Sequence, residues 1–473
     1  MLRHSLSHTR KFVFAFVFAL TLFLAGTSAF CDEAARALDN ETWDHLLALG
    51  AVSDATDGSL QRTFLSFASR LAMDKVESWM REGGMDTWVD EVGNVHGRLE
   101  GATPNQKVLL VGSHIDTVKD AGKFDGTLGV LVGISSVKAL TLNSIVFGQQ
   151  IPGPVQVVAF SDEEGVRFSS TFLGSRAMVG LLSESADNAT DENGISMLQA
   201  LRHGGFKGSR QSILTANISD TISSYVEVHI EQGPVLHTRG ESVAPVAAIS
   251  GQTRLTVSVH GTQGHAGTVP MSTRKDAVAG AAEIIHFIET FCKTQAQVSD
   301  GGTMLVCTVG EIRIWPGSSN VISSNTNFTI DIRSRSNHER EGVVLRVTEA
   351  VNRACLKRDM ICRVDLKHEA PAANCDIELT KALNEAIIGA QRHDNAGDEY
   401  LQSNVSTLIS GAGHDSLALH STCPIGMLFV RCVDGISHSP EEYTTAEDVA
   451  FAGRVLFEFL RARNQRLELS PIL

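Results

Sequence analysis

Four short apolar runs, Val108 to Val111, Val155 to Phe160, Val226 to Ile230 and Met427 to Cys432, each carry or lead into histidines and carboxylates. Runs this short, separated by helix-length segments, read as parallel strands covered on both faces. In open parallel sheets, ligands collect outside the carboxyl ends of the strands. The first such end, Gly112-Ser113-His114-Ile115-Asp116, puts His114 and Asp116 two apart on extended chain and so on one face. Lys123-Phe124-Asp125-Gly126 follows as a Gly-bounded acidic loop. The second run exits into Asp162-Glu163-Glu164, three adjacent acids whose repulsion calls for solvent or a cation. In the third, Val226, Val228 and Ile230 share one face, with Glu227, His229 and Glu231 on the other. The fourth precedes Gly435-Ile436-Ser437-His438-Ser439-Pro440. A solvated turn or a core histidine explains any one of these. Their recurrence at strand ends, with His114, Asp125, Glu164, His229 and His438 all at or just past them, favours a metal site.

Composition narrows the alternatives. The chain has 473 residues, 43% hydrophobic and 20% charged, with a formal net charge of −14. That is room for two or three domains and too apolar for disorder. No basic stripe is present to hold nucleic acid, so the expected partner is a small molecule. The eight cysteines form no CxxC pair, which leaves neither a thiolate zinc site nor a disulfide framework legible. At the start, Arg3, Arg10 and Lys11 precede an apolar run from Phe12 to Ala25, with Thr27 and Ala29 spaced for cleavage. Residues 1–29 therefore read as a secretory signal, too short to span a bilayer, with an uncleaved anchor as the alternative. The expected location is the endoplasmic reticulum, with no membrane attachment after signal removal. Sequons at Asn40, Asn188, Asn217, Asn327 and Asn404 fit that entry.

The remaining pattern is that of a layered α/β body. Apolar spacing predicts a helix over Ser59–Met80, strands at Asp86–Asp90 and Asn94–Leu99, and a Gly-rich helix over Leu128–Leu140. Catalytic-domain segments are expected at 36–248 and 369–473. Between them, 249–368 reads as an inserted α+β domain: a strand at Thr253–His260, a helix at Asp276–Phe291, strands within Met304–Ile314 and Asn325–Ile332, a helix at Glu341–Leu356 and a strand at Cys362–Lys367. That is the order of a ferredoxin-like split βαβ unit. The stretch from Ser183 to Asp220 carries helical character at Ile195–Leu201 and no assigned function. Gly411-Ala412-Gly413-His414-Asp415 reads as a loop feeding a helix N-terminus, whose backbone N–H groups would be free to bind substrate.

The runs FSDEEGVRF, VEVHIEQGPVL, QGHAGTVPM, SGAGHD and GISHSP resemble the amidase/carbamoylase branch of the dinuclear metallo-aminoacylase and exopeptidase superfamily. The likeness covers roughly residues 50 to 463 and is nearest to the ureide-processing members. It implies a metallo-exopeptidase-like α/β catalytic domain with a mainly parallel sheet, and a lid through which relatives form homodimers. It also implies two metal ions per subunit bridged by Asp125, with His114 and Glu164 towards one ion and His229 and His438 towards the other, an allocation left to geometry. Imidazole and carboxylate ligands suit Mn2+, with Zn2+ or another divalent ion as the alternative. Glu163 would be the general base, Asp116 the partner orienting His114, and His265 the donor to the tetrahedral oxyanion. Arg254, Asn320, Arg333, Gly413 and Gln232 match substrate-binding positions, and His414 either joins them or supports a ligand. The implied reaction is hydrolysis of allantoate to ureidoglycine, ammonia and carbon dioxide. Ureidoglycolate, an N-carbamoyl amino acid, or silent ureide binding without turnover are the alternatives.

Overall fold

The computed structural model describes residues 33–103, 105–148, 150–298, 304–394 and 405–469. The expected signal segment and the Asn404 sequon lie outside these residues. The chain forms two compact units. One gathers Met1–Ala247, Cys375–Thr407 and His414–Leu473, the other Ala248–Asn374 with Leu408–Gly413.

In the first unit, helix α1 (Phe67–Glu82) precedes strands β1 (Asp86–Val89), β2 (Val95–Leu99) and β3 (Val108–His114). Helix α2 (Thr127–Phe147) leads to β4 (Val155–Phe160), and then come β5 (Ile222–Ile230) and β6 (Val243–Ile249). The strands lie in the order β1-β2-β4-β3-β5, continued by a last strand at Ile425–Val430 and then β6. The four central strands are parallel and the flanking ones antiparallel. β3, β4 and the Ile425–Val430 strand are buried along their whole length, as apolar runs without alternation require. α2 packs on β3, β4 and β5. It is long and apolar enough to cross a membrane, but two-thirds of its apolar stretch is buried. It is apolar on all sides because protein surrounds it. Its Gly129 permits this approach, since a Cβ there would lie 1.9 Å from Val228 O on β5.

The predicted first helix starts late. Leu60 is buried in a bridge to Ala121 and Phe64 in the turn that follows, and α1 begins at Phe67 with Ser66 Oγ capping Ser69 N. Its buried face is Ala68, Ala72, Met73, Val76 and Met80, while Phe67 is 71% exposed. A side-chain cap decided the boundary over the apolar spacing.

The second unit is an antiparallel sheet with helices. Its strands are β7 (Gly251–His260), β8 (Val306–Thr308), β9 (Ile312–Trp315), β10 (Asn325–Ser334) and β11 (Ile361–Ala370). Helix α3 (Ala277–Val298) follows β7, and α4 (Asn337–Lys357) follows β10. The order is β9-β10-β7-β11, with β8 also on β10. The expected strand stretch 304–314 is thus two short strands with a break between Thr308 and Ile312. β10 alternates strictly, with Phe328, Ile330 and Ile332 in a core shared with Ile284, Ile288, Val347 and Val351, and polar residues outward. Two disulfides staple this core, Cys292–Cys307 between α3 and β8 and Cys355–Cys362 between α4 and β11. Cys375, Cys423 and Cys432 are free and buried. Helix α5 (Ile377–Asp394), in the first unit, packs on the C-terminal helix α6 (Ala446–Leu469).

Candidate metal centre

Carboxyl ends of four parallel strands converge in the first unit. His114 is the last residue of β3, Glu163 and Glu164 follow β4, His229 is next to last in β5, and His438 lies beyond the Ile425–Val430 strand. Asp125 stands at their centre. Its Oδ1 lies 3.0 Å from His229 Nε2 and 3.7 Å from His114 Nε2. Its Oδ2 lies 3.1 Å from His438 Nε2, which is 3.4 Å from Glu164 Oε1. In each of the two sets, His114–Asp125–His229 and Asp125–Glu164–His438, the ligand atoms lie within 4.8 Å of one another. One carboxylate therefore offers an oxygen to each of two imidazole and carboxylate groupings. His114 also groups with Glu163 and Glu164 at the same spacing, so the atoms permit the expected pairing of His114 with Glu164 as well as a pairing of His114 with His229.

The hydrogen bonds around the cluster settle which lone pairs face inward. His114 Nδ1 is 3.0 Å from Asp116 O, and His229 Nδ1 is 2.8 Å from Ile230 O. Each carbonyl accepts from Nδ1, which leaves each Nε2 facing Asp125 and available to a cation. Asp125 Oδ1 is buried and accepts no hydrogen bond. Two imidazole nitrogens and a buried carboxylate oxygen meeting at one point form a donor set that a cation would satisfy. The donor set is imidazole and carboxylate without thiolate, which fits a manganese or zinc pair.

Titration of the side chains taken alone points the same way. Burial works against charge on His114, yet Glu163, Asp116 and Asp125 hold its pKa well above the usual imidazole value. Burial likewise opposes Asp125, but His229 and His438 keep it well below the carboxylate range. Burial, reinforced by Asp125, pushes Glu164 up to about 7. Glu163 rises well above its ordinary value through burial, with Glu164 and Asp415 adding to the effect against His114. Glu163 Oε2 stands 3.9 Å from His114 Nε2, beside the first grouping.

Several side chains act differently from expectation. The Asp116 carboxylate is 3.6 Å from His114 Nδ1, farther than its own main-chain oxygen. Its two oxygens instead accept the N–H groups of Glu163 and Glu164, fixing the turn that presents both acids. Gln232 Nε2 donates to Asp125 Oδ2 at 2.9 Å, leaving its buried Oε1 without a hydrogen-bond partner. His414 is buried behind His229, ring centroids 4.5 Å apart. Burial, with His229 and His114 near, pulls its pKa far down, so a neutral ring braces a ligand there. The loop before Ser416 does not offer a free helix end. Its helix has four residues, and Ser416 N and Oγ both donate to the buried Glu227. Sequence reasoning missed Glu442, whose Oε1 accepts the N–H groups of Phe124 and Asp125 and whose Oε2 accepts Ser437 Oγ. Its only local signal is an acid four residues after His438.

The second unit carries the other predicted polar residues in two groups. On the outward face of β7 and β10, Arg254 and Asp331 sit opposite in register. Asp331 takes Arg254 Nε at 3.2 Å and Arg333 Nε and Nη2 at 3.0 and 3.1 Å, while Arg333 Nη1 reaches Gly411 O. A cavity of about 550 Å³ is lined by these residues together with Thr256 and Lys367. Separately, Gly264–His265 pairs with Val321–Ile322, which sets Asn320 beside His265 through Ala266 N donating to Asn320 O. His265 Nδ1 accepts Gly267 N, so the ring proton sits on Nε2 as an exposed donor. Gly413 ends the Leu408–Gly413 segment of this unit.

Parallel strands ending in a bridged imidazole and carboxylate cluster define a class of dinuclear metal-dependent hydrolase. The chain belongs to peptidase family M20/M25/M40, which it matches over residues 110–462, and is a hydrolase of that family. It is 45% identical over 436 residues to allantoate deiminase 1 of Glycine max, covering 89% of each chain. It is 37% identical to an N-carbamoyl-L-amino-acid amidohydrolase of Pseudomonas sp. (strain NS671), covering 88% of this chain and 95% of that one. A solved amidase of the hydantoinase/carbamoylase family from Burkholderia multivorans superposes with a TM-score of 0.80 at 27% identity, over 90% of this chain and 97% of that one.

Proposed function

We propose that the protein hydrolyses allantoate to ureidoglycine, ammonia and carbon dioxide, with two Mn2+ ions bound by His114, Asp125, His229, Glu164 and His438. The observation that carries this reading is the single carboxylate of Asp125 turned towards two imidazole and carboxylate groupings, in a chain with 45% identity to an allantoate deiminase. A bound metal pair lowers the pKa of a water molecule and polarises a carbonyl. Glu163, buried and held by a turn on Asp116, takes the proton of the attacking water and returns it to the leaving nitrogen. His265 offers Nε2–H to the carbonyl oxygen as charge develops there. Arg254 and Arg333 are guanidinium forks suited to the substrate carboxylate, and Gln232 Oε1 to a ureido N–H. Asn320 and Gly413 complete the proposed contacts.

Ammonia release from allantoate, ureidoglycolate and N-carbamoyl-L-amino acids, with Mn2+ or Zn2+ restored to the stripped enzyme, tests substrate and metal together. Allantoate with Mn2+ is expected to give the highest kcat/KM. The 37% identity to a carbamoylase makes N-carbamoyl amino acids the second reading, and a higher rate on them would overturn the first. Glu163→Gln should lower kcat by about 10²- to 10⁴-fold while two metal ions remain bound.

The same proposal places the enzyme in the endoplasmic reticulum as a homodimer. The two disulfides of the second unit support an oxidising compartment. Exposed Asn40, Asn188 and Asn217 are sequon sites open to glycosylation, which an endoglycosidase mobility shift would register. Exposed Ile312, Ile314 and Trp315 on β9, with Leu345 and Leu356 on α4, support a subunit interface in the second unit. Light scattering should return twice the chain mass.

A further inference from the structure

Arg62 is fully buried, and its four side-chain hydrogen bonds all end on neutral oxygens. Nε donates to Ile115 O at 2.6 Å, Nη1 to Leu49 O at 2.8 Å and Val52 O at 3.1 Å, and Nη2 to Thr127 Oγ1 at 3.1 Å. Burying a guanidinium without a carboxylate partner is costly. Burial lowers its pKa only to about 10, with Asp116 and Asp54 near enough to favour the charge without bonding to it, so the charge persists at neutral pH. None of the groups assigned to water activation or substrate contact bonds to it.

What Arg62 does touch is the frame of the metal centre. Ile115 lies between His114 and Asp116, and its carbonyl position sets the direction in which both neighbours leave the end of β3. Thr127 opens α2 two residues after Asp125. The main chain adds to the hold: Arg62 N donates to Thr117 Oγ1, Thr117 N to Arg62 O, and Ala121 N to Leu60 O. Residues 60–62 therefore run as a splint along 115–121, and the guanidinium ties that splint to both ends of the loop joining His114 to Asp125. A planar fork reaches these separate acceptors at once, whereas an ammonium has a single nitrogen.

We infer that Arg62 is a positioning residue for the metal centre, setting the separation of His114 and Asp125 through Ile115 and Thr127. The inference rests on the metal reading above. Partners that orient metal ligands typically govern affinity by about 10- to 100-fold.

The test strips the mature full-length chain with chelator and follows Mn2+ binding by the EPR signal of the free ion, for wild type, Arg62→Lys and Thr127→Val. Thr127→Val removes one acceptor and keeps the buried charge, so it reports even where the Arg62 variant folds poorly. Both variants should bind Mn2+ about tenfold or more weakly. At saturating Mn2+, kcat should fall while KM for allantoate moves by less than about twofold. Thr127→Ser, which keeps the acceptor for Nη2, should bind Mn2+ like wild type, which separates positioning from general stability. Wild-type binding with unchanged affinity in both variants overturns the inference alone. A wild-type chain that binds no Mn2+ overturns the metal reading and this inference with it.

Discussion

A Cβ on Gly126 would lie 2.3 Å from His114 Nε2, and the backbone there takes a φ of 63° that side chains other than glycine's rarely adopt. The loop after Asp125 thus passes His114 at a distance only glycine permits. Gly126→Ala should push His114 away from Asp125 and lower Mn2+ affinity by about tenfold or more, measured by titrating the stripped protein. The same scale shows which residues a sequence reveals. The histidines and acids at the strand ends were legible, because strand and chemistry are adjacent in the chain. Glu442 and Arg62 were not, because their partners lie far away: Phe124 is 318 residues from Glu442, and Ile115 is 53 residues from Arg62. An i, i+2 pair on extended chain shares a face, which makes Asp116 the expected partner of His114. The chain turns after His114, so the main-chain oxygen takes the imidazole and the carboxylate is free to cap Glu163 and Glu164.

Among the elements, periodicity was most reliable where one face meets a core and the other meets water. β10 alternates residue by residue, and its boundaries follow from that pattern. α1 begins later than the apolar spacing predicts because Leu60 and Phe64 are buried for another reason: Leu60 lies in the splint, and Phe64 packs from a turn with Val92, Phe168 and Leu173. Ser66→Ala should cost about 1 kcal/mol by removing the α1 cap, read from denaturant unfolding at neutral pH. The β7–β10 pair gives a pH-dependent counterpart. Burial works against ionisation of Asp331, but its bonds to Arg333 and the nearby charge of Arg254 hold its pKa below the ordinary value. A carboxyl depressed in the folded state stabilises above its unfolded pKa, near about 3.9, and that contribution is lost as pH falls through the lower folded value. Asp331→Asn should therefore destabilise by about 1 kcal/mol or less at pH 7 and by nothing near pH 2. Thermal unfolding of wild type and variant should converge as the medium is acidified; a gap that persists in acid would show that the ion pairs do not carry the effect.

At the scale of the whole molecule, the formal charge of −14 includes acids that folding forces together. Asp125, Glu163 and Glu164 lie among buried histidines; the raised pKa values of Glu163 and Glu164 are the cost of that crowding, which His229 and His438 offset at Asp125. The unfolded chain disperses these groups and binds metal poorly, so a cation that binds the native cluster adds its binding free energy to stability. At free Mn2+ of 100 to 1,000 times Kd the gain is about 2.7 to 4.1 kcal/mol. For a chain of this size each kcal/mol moves the unfolding temperature by roughly 1 to 1.5 °C. Chelation should thus lower the unfolding temperature by about 3 to 6 °C, and restored Mn2+ should recover it. Two variants locate the effect. Glu163→Gln keeps the ligands and removes only the base, so it should lose turnover yet keep the full metal-dependent rise. Gly126→Ala disturbs a ligand's position without changing any charge, so it should show a rise displaced to higher Mn2+ concentration. If Glu163→Gln lost the rise together with turnover, Glu163 would be a ligand and the division of labour between the two adjacent acids would be reversed.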